Sequence, residues 1–423
     1  MKKHTGRRDF IKKTAAGITI LNSRSALGYA ANSHVNLGVI GCGSRGSHVG
    51  GSFMEHTDTR VTAIADLFGD KLAEGAAHFN GLLEKGGQPA LKQSRMFRGS
   101  EAYKRMLDLD DVDAVLIATP HFVHPEQLAA AVDAGKHVYL EKPVSVDVRG
   151  SRQVMAAGER AEGRLSLAVG FQIRHATPFV DMVKRIHRGD IGDIVMGQLW
   201  YLAGGPAMSS TAATHDERYV RLWGLYRALS GDNILLQGVH IVDVCNWVLG
   251  SRPVSATGTC GRAVRPDPGD NNSHFHVNFT YPGDITVSFQ SQQFNPGYGD
   301  VAERFFGTKG ISESHYTGGV FIKGENEWDS GIPRSAADVS PEDWDAGRFK
   351  SALDDADANK EKVFIASIRS GNYLNEAKQG AESTLSARLG TLAAYSGEEV
   401  TWDEMIASDE CIDPVVDLSR FDG

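Results

Sequence analysis

The feature that most constrains this chain lies at residues 35–46, where a short apolar segment leads directly into a glycine-rich loop. The segment VNLGVI has the composition of a buried parallel strand. The loop at residues 41–46 has the pattern G-x-G-x-x-G. Between a strand and a helix, such glycines allow a tight turn, close approach of the backbone to a pyrophosphate, and close helix packing. The sequence therefore predicts a dinucleotide site here.

A second predicted strand supports this site, because a lone glycine motif is weak evidence in a chain with 47 glycines. The strand at residues 61–66 ends in Asp66, about 20 residues after the loop, where a carboxylate accepts hydrogen bonds from the adenosine ribose. No arginine directly follows Asp66, so a 2′-phosphate would meet an uncompensated carboxylate. The sequence therefore favours NAD, and Arg45 leaves NADP as the alternative.

The first 31 residues have the pattern of a twin-arginine (Tat) export signal and are excluded from the fold prediction. Arg7 and Arg8 precede a weakly apolar segment that is shorter than the roughly 20 residues needed to span a bilayer. We expect export by the Tat machinery to the periplasm or beyond, without stable membrane insertion. Because free dinucleotide is scarce there, we expect a tightly bound cofactor that returns to its starting redox state in each cycle.

Composition narrows the remaining possibilities. A length of 423 residues predicts two domains, and a net charge of −9 argues against a nucleic-acid partner. The four cysteines are scattered, which favours buried free thiols and leaves one disulfide permitted. His274 and His276 alternate onto one strand face, but no third ligand has a recognisable spacing, so no metal is predicted.

Further along the first half, apolar strands alternate with helical patterns, which predicts a doubly wound parallel sheet. Strands at residues 113–118 and 136–140 are followed by Thr119-Pro120-His121 and Glu141-Lys142-Pro143. The carboxyl ends of such strands form the ligand crevice. We therefore expect both tripeptides to lie beside the glycine loop.

Three motifs in this order resemble one family: the glycine loop, Ala-Thr-Pro-x-x-x-His at residues 118–124, and Glu-Lys-Pro at residues 141–143. This is the family of glucose–fructose oxidoreductase, inositol dehydrogenase and related sugar dehydrogenases (Gfo/Idh/MocA). The resemblance implies an α/β chain with an N-terminal Rossmann domain and a C-terminal α+β domain with an open, mainly antiparallel sheet. We place them at residues 32–150 and 151–423, with the last helices able to pack back on the first domain. The resemblance also implies a homodimer or homotetramer.

The second half fits such a domain. Alternating patterns predict strands at residues 193–201, 254–262, 274–281, 284–292 and 301–306. An irregular, aromatic-rich loop at residues 203–230 is predicted to be a substrate lid, and a helix is predicted at residues 234–249. The acidic segment 325–356 is expected to be a surface excursion, followed by helices at residues 361–369 and 376–394.

The resemblance also implies the reacting groups. Lys142 would hydrogen-bond the reacting hydroxyl, His240 would carry its proton, and Asp243 would orient the site. This chain departs from the family at one position, since it has Leu236 where the family usually has Asp or Asn. Gln237, Asp243 or a loop residue would then assist His240.

The sequence assigns two further groups of residues. Predicted cofactor-binding residues are Gly41, Gly43, Ser44, Arg45, Gly46, Asp66, Thr119, Pro120, His121, His124, Glu141 and Lys142. Predicted substrate-binding residues are Lys142, Arg174, Gln237, His240 and Tyr226.

The leading hypothesis is an exported NAD(P)-dependent oxidoreductase that acts on a sugar, sugar acid or cyclitol hydroxyl. The alternative is a glycoside hydrolase or lyase that uses NAD transiently, since oxidation of a ring hydroxyl acidifies the adjacent C–H and permits elimination. The leucine at position 236 favours this alternative. Lys142 disfavours one form of it, since one group of NAD-using glycosidases in this superfamily replaces that lysine. A non-catalytic sugar-binding protein is the third hypothesis.

Overall fold

The computed structural model describes residues 34–206, 208–212, 214–263, 267–294, 299–332 and 351–422. Val35–Gly423 form one structural unit. The predicted export signal at residues 1–31 lies outside the described residues, as does most of the acidic segment.

Within the described residues, six parallel strands form the first sheet in the order β3-β2-β1-β4-β5-β6. The strand order reverses between β1 and β4, which opens a crevice at their carboxyl ends. This confirms the predicted doubly wound sheet. The strands are β1 (Val35–Ile40), β2 (Thr59–Asp66), β3 (Met96–Arg98), β4 (Ala114–Ile117), β5 (His137–Leu140) and β6 (Leu167–Val169).

Helices cover both faces of this sheet, which explains its uninterrupted apolar strands. In β4, Ala114 and Leu116 enter one hydrophobic cluster, whereas Val115 and Ile117 enter another. The helices are α1 (Ser44–His56), α2 (Gly69–Lys85), α3 (Ala102–Leu107), α4 (His124–Asp133) and α5 (Val148–Ala161). Because β6 follows α5, the first sheet ends at Val169, beyond the predicted boundary at residue 150.

The second sheet contains nine strands in the part of the chain that the structure describes, in the order β14-β13-β12-β11-β7-β10-β9-β8-β15. Only β7 and β10 pair in parallel there, so the predicted mainly antiparallel sheet is confirmed. The strands are β7 (Ile194–Leu202), β8 (Ser255–Gly261), β9 (His274–Tyr281), β10 (Ile285–Gln292), β11 (Asp300–Gly307), β12 (Gly310–His315), β13 (Val320–Gly324), β14 (Trp328–Asp329) and β15 (Val400–Thr401).

Some helices of the second half pack on the second sheet, whereas others contact the first domain. The helices of this half are α6 (Thr177–His187), α7 (His215–Arg221), α8 (Arg227–Ser230), α9 (Val239–Leu249), α10 (Ala356–Ser370), α11 (Ala377–Ser396) and α12 (Trp402–Ser408). Phe364 of α10 packs edge-on against Phe53 of α1, with ring centroids 6.0 Å apart. This contact packs α10 against α1, the helix that follows the glycine loop.

Two elements of the structure differ from their predictions. The loop predicted at residues 203–230 contains α7, α8 and a 3₁₀ turn at Trp223–Leu225. The helices were missed because seven and four residues are too short to show helical periodicity. The helix predicted at residues 234–249 begins with a π-helical turn, Ile234–Gly238, before α9 continues. Such turns occur frequently at functional sites.

Candidate active site

The glycine loop has the form that a pyrophosphate requires. Gly41 has a φ of +93°, and a Cβ there would lie 2.6 Å from the Ala118 carbonyl oxygen. A Cβ on Gly46 would overlap the Gly41 carbonyl oxygen, so this glycine allows the helix to pack against the loop. A Cβ on Gly43 would meet no atom within 4 Å, which leaves the middle of the loop open.

The first turn of α1 is free to receive an anion. Gly43 is the N-cap residue, no side chain caps the helix, and no acidic residue lies in its first turn. The N-terminal N–H groups and the positive end of the helix dipole therefore face the loop. The residues present fit a dinucleotide.

A cavity of about 540 Å³ begins at this loop and extends to the π-helical turn. It brings together most of the residues predicted from the sequence. The predicted residues that line it are Gly41, Gly43, Ser44, Arg45, Asp66, Thr119, Pro120, His121, Glu141, Lys142, Gln237 and His240.

Asp66 is held rigidly at one end of the cavity. Its Oδ2 accepts a hydrogen bond of 2.8 Å from the Cys42 backbone N–H, and its Oδ1 accepts one of 2.9 Å from that of Phe68. Burial raises the pKa of the carboxyl, and the two backbone N–H groups oppose this rise. Since each carboxylate oxygen has two lone pairs, Asp66 retains capacity for ribose hydroxyls.

Arg45 also lines the cavity, on the side of Glu141 and His240, and its charge is already compensated. Its Nε donates to Glu141 at 2.9 Å, and its two terminal nitrogens donate to Asp357 of α10 at 3.0 and 3.1 Å. Burial opposes the charge, but Asp357 and Glu141 outweigh it and raise the pKa of the guanidinium. Two carboxylates around this cation weaken its value as a partner for a 2′-phosphate.

Lys142 lies at the other end, directly after β5. Its Nζ donates a hydrogen bond of 3.0 Å to the backbone carbonyl oxygen of Leu236 in the π-helical turn. The contact joins residues 94 positions apart and aims the ammonium into the cavity. An ammonium has three donors, so it can bind this carbonyl and also a substrate oxygen.

His240 stands on the first turn of α9 in an apolar setting. The rings of Phe171 and Tyr316 flank it edge-on, with centroids 6.4 and 6.3 Å away. Burial lowers the pKa of the imidazole well below its usual range, and the charges of Lys142 and Arg45 lower it further. Its buried Nδ1 has no hydrogen-bond partner among the described residues. The ring is therefore neutral near pH 7 and able to accept a proton.

Gln237 and Leu236 complete this end of the cavity. The Gln237 Oε1 accepts a hydrogen bond of 2.9 Å from the Gln293 side-chain amide, which leaves the Gln237 NH₂ group for the cavity. The Leu236 side chain lines the wall beside His240. No carboxylate occupies the position that the family resemblance assigns to the partner of the histidine.

Asp243 and Arg174 lie away from the cavity, which corrects their predicted roles. Arg174 donates to the two carboxylate oxygens of Asp243 at 2.8 and 2.9 Å. Gln379 and Ser383 of α11 donate to Asp243 at 2.7 and 2.6 Å. The reason is charge compensation, since a buried carboxylate needs a paired cation and hydrogen bonds. Asp243 therefore joins α9 to α11 and does not touch His240.

Three other predicted residues also have structural positions. The His124 ring nitrogens lie 2.9 and 2.8 Å from the Pro143 and Thr119 carbonyl oxygens, and burial lowers the pKa of the ring to about 4. Tyr226 packs against Tyr219, with ring centroids 4.5 Å apart, outside the cavity. Gly46 supports the loop from behind and does not line the cavity.

The structure adds residues that sequence reasoning missed. Trp223 lies edge-on to His121 at 4.6 Å, and Arg221 lies 3.9 Å above the ring of Phe68. All four side chains line the cavity. The aromatic-rich loop at residues 203–230 signalled a lid, but spacing could not show which of its residues face inward.

The described residues also bear on the expectations for metal binding, membrane spans and thiols. No group of three or more His, Cys, Asp or Glu side chains is placed to hold a metal ion there. None of the helices described is long and apolar enough to cross a bilayer. Cys42 and Cys245 are buried free thiols, and Cys411 is exposed, which corrects the expectation for that thiol.

Comparison with family models gives a consistent result across both halves of the chain. The model described as "Oxidoreductase family, NAD-binding Rossmann fold" (GFO_IDH_MocA) matches residues 35–170. The model described as "GFO/IDH/MocA C-terminal domain" matches residues 179–313.

Individual relatives agree. The chain is 25% identical over 368 residues to an inositol 2-dehydrogenase from Rhizobium meliloti, which covers 86% of this chain and 97% of the relative. It is 31% identical over 195 residues to a glycosyl hydrolase family 109 protein from Streptomyces coelicolor, which covers 46% of this chain and 40% of the relative. The solved structure of levoglucosan dehydrogenase in complex with NADH shares the fold, with a TM-score of 0.65, 19% identity, and coverage of 87% of this chain and 99% of that chain.

Proposed function

Because the chain belongs to the Gfo/Idh/MocA family of NAD-binding oxidoreductases, we propose that it oxidises or reduces a hydroxyl-bearing carbon of a sugar, sugar acid or cyclitol. The observation that carries this proposal is the position of Lys142 and His240 in the cavity that begins at the glycine loop. When bound there, a nicotinamide cofactor supplies the hydride acceptor or donor. The inositol 2-dehydrogenase relative supports a polyol as substrate.

The two residues have complementary tasks. The Lys142 ammonium donates to the reacting oxygen and stabilises the negative charge that develops as its proton leaves. The neutral His240 ring accepts that proton, which its lowered pKa permits near neutral pH. Phe171 and Tyr316 shield the His240 ring from water, so that the proton it accepts comes from a group in the cavity. In the reverse direction the same two side chains donate.

NAD is the cofactor that the charges favour. Asp66 lines the cavity where the adenosine ribose is expected, and its carboxylate accepts from hydroxyl groups but repels a phosphate. Arg45 is already paired with Glu141 and Asp357. Lys71 and Arg221 also line the wall near Asp66, but each of them already pairs with an acidic side chain. The 2′-phosphate of NADP would therefore meet the Asp66 carboxylate beside cations that are already compensated.

Export and cofactor retention belong to the same proposal. Arg7 and Arg8 support Tat export to the periplasm, which delivers a folded protein with its cofactor in place. We propose that the cofactor is tightly held and is reset in the site by a second carbohydrate. Detection of the mature chain in a periplasmic fraction, and its loss when both arginines are replaced by lysine, would test the export step.

The proposed activity is tested with myo-inositol and a panel of aldoses, in full-length protein supplied with NAD. Reduced-nicotinamide absorbance should rise with at least one polyol. The Lys142→Met variant should lose about a hundredfold or more of this rate, since it lacks the charge that stabilises the developing alkoxide. Lys362→Met, at an exposed position on α10, is the matched control and should retain the rate.

A glycoside hydrolase or lyase with transient oxidation is the second candidate. It is favoured by the glycosyl hydrolase family 109 relative and by Leu236, which leaves His240 without the usual carboxylate. Release of free sugar from a glycoside without net change in nicotinamide absorbance would support this candidate and contradict net oxidation. Absence of both reactions, with sugar binding retained, would favour the binding-protein hypothesis.

Assembly into a homodimer or homotetramer is also proposed. Val195 and Met196 at the start of β7, a strand in the interior of the second sheet, are 57% and 40% exposed, so two neighbouring large apolar side chains there face solvent. Light scattering of the purified chain measures the assembly directly. Replacement of both residues by aspartate should reduce the mass to that of one chain, and a monomeric wild type would contradict the proposal.

A further inference from the structure

The segment formed by residues 411–422, here called the strap, crosses from α12 to the first sheet. Near its start, the Ile412 backbone N–H donates to Asp147 at 2.7 Å. At its other end, Asp422 accepts from the backbone N–H and the hydroxyl of Ser100, at 2.5 and 2.9 Å. Ser100 follows β3, so the strap ends beside the carboxyl end of β2 and near Asp66.

The strap supports a wall of the cavity from outside. The ring of Phe421 packs against the ring of Phe68, with centroids 5.5 Å apart. The guanidinium of Arg221 lies 3.9 Å above the same Phe68 ring. Phe68 lines the cavity next to Asp66 and is thus held between the strap and the lid helix α7. Leu418 of the strap and Val220 of α7 line a smaller cavity beside this wall.

Two ion pairs join α7 to its neighbours on the first domain and the strap. Arg221 makes a bidentate pair with Asp70 of α2, with both distances 2.9 Å. Arg420 of the strap donates to Asp216 of α7 at 2.5 Å. The lid helix is therefore attached to the first domain directly through α2 and indirectly through the strap.

We propose that the strap holds α7 closed over the adenosine half of the dinucleotide site and slows release of the cofactor. This inference rests on the proposed function, because it requires a dinucleotide with its ribose at Asp66. Departure from that end moves Phe68 or α7, and either movement breaks the Phe68–Phe421 contact or the Arg420–Asp216 pair. Retention of this kind serves a protein that works where free cofactor is scarce.

The release rate is measured on full-length protein loaded with NADH and mixed with excess NAD, by following the fluorescence of bound NADH. The double variant Arg420→Ala with Phe421→Ala should release NADH about tenfold faster, since it loses an ion pair and an aromatic contact. Asp216→Asn removes the same ion pair from the α7 side and should accelerate release about twofold to fivefold. Unchanged circular dichroism confirms that both variants are folded.

The control is Arg160→Ala, which removes an exposed ion pair with Asp133 that does not border the cavity. Its release rate should equal that of wild type. If NADH leaves the strap variants at the wild-type rate, the proposed role of the strap is wrong, whereas the proposed function stays intact. Failure of wild type itself to bind NADH would overturn both.

Discussion

The ammonium of Lys142 donates a hydrogen bond of 3.0 Å to the backbone carbonyl oxygen of Leu236. The end of β5 is thereby joined to the π-helical turn that precedes His240. The lysine is oriented by a carbonyl group, where the family resemblance leads one to expect a carboxylate or amide side chain nearby. In the proposed mechanism, the pKa of His240 is therefore set by burial and by the positive charges of Lys142 and Arg45, without a carboxylate partner.

The first prediction concerns the leucine. A carboxylate near an imidazole raises its pKa, so Leu236→Asp should shift the acidic limb of the pH–rate profile for polyol oxidation to higher pH. Oxidation at pH 6 should then fall relative to oxidation at pH 8, because more of His240 is protonated. Leu236→Asn supplies a polar group without charge and is the matched control. An identical acidic limb in wild type and Leu236→Asp would contradict the proposed role of His240.

The histidine gives a second prediction. Because burial, Lys142 and Arg45 lower the pKa of His240, wild type should keep its oxidation rate below pH 6.5. His240→Gln should bind NAD normally but lose about 10²- to 10⁴-fold in turnover, the usual contribution of general base catalysis. Titration calorimetry and turnover separate the two effects. Wild-type turnover in this variant would exclude the ring as the base.

A third prediction concerns cofactor choice. Asp66→Asn removes the negative charge and keeps one of the two acceptor oxygens, so one of the two backbone N–H groups that bind Asp66 keeps its partner. The affinity for NAD should fall and that for NADP should rise, each by about tenfold, which corresponds to about 1.4 kcal/mol of binding free energy. Asp58→Asn, which alters an exposed carboxylate before β2, is the control. Calorimetry with both cofactors measures the ratio, and an unchanged ratio would rule out Asp66 as the selective group.

The fourth prediction concerns stability and pH. Burial raises the pKa of Glu303 on β11 to about 8, although Ser314 donates to it at 2.7 Å. Between the unfolded value of 4.5 and about 8, the folded chain holds a proton that the unfolded chain has released. The free energy of unfolding therefore falls as pH rises through this window. Glu303→Gln should remove this fall, so its stability relative to wild type should increase steadily from pH 5 to pH 8.

Glu313 on the neighbouring strand provides the control of opposite sign. Burial alone would raise its pKa, but His315 and Arg304 hydrogen-bond it and lower the pKa to about 2. Its stabilising contribution is present above pH 4.5 and is lost as pH falls towards 2. Glu313→Gln should thus destabilise the chain at neutral pH. Urea unfolding at several pH values tests both variants, and parallel stability curves for Glu303→Gln and wild type would refute the assignment.

Much of the first domain could be predicted from the sequence, because its signals are local. Uninterrupted apolar strands, the glycine loop and Asp66 have fixed spacings, and the structure places these features together. Lys142 and His240 were found through motifs. The short strands β3 and β6 were missed, since three residues carry no periodicity.

The parts that could not be predicted depend on contacts between distant residues. His240 and Asp243 lie three residues apart on one helix, yet Asp243 is taken by Arg174 and α11. The pairing of Arg45 with Asp357 joins positions 312 residues apart. No local sequence pattern predicts such partners, because they depend on which helices pack against each other in the fold.

The nucleotide content of the purified full-length protein tests the central claim most directly. Protein denatured after purification should release a small molecule with the mass and absorbance of NAD, in about one copy per chain. Protein that has lost it should bind added NAD. Release of no pyridine nucleotide, together with no binding of added NAD or NADP, would contradict the claim that the glycine loop and Lys142 enclose a redox cofactor.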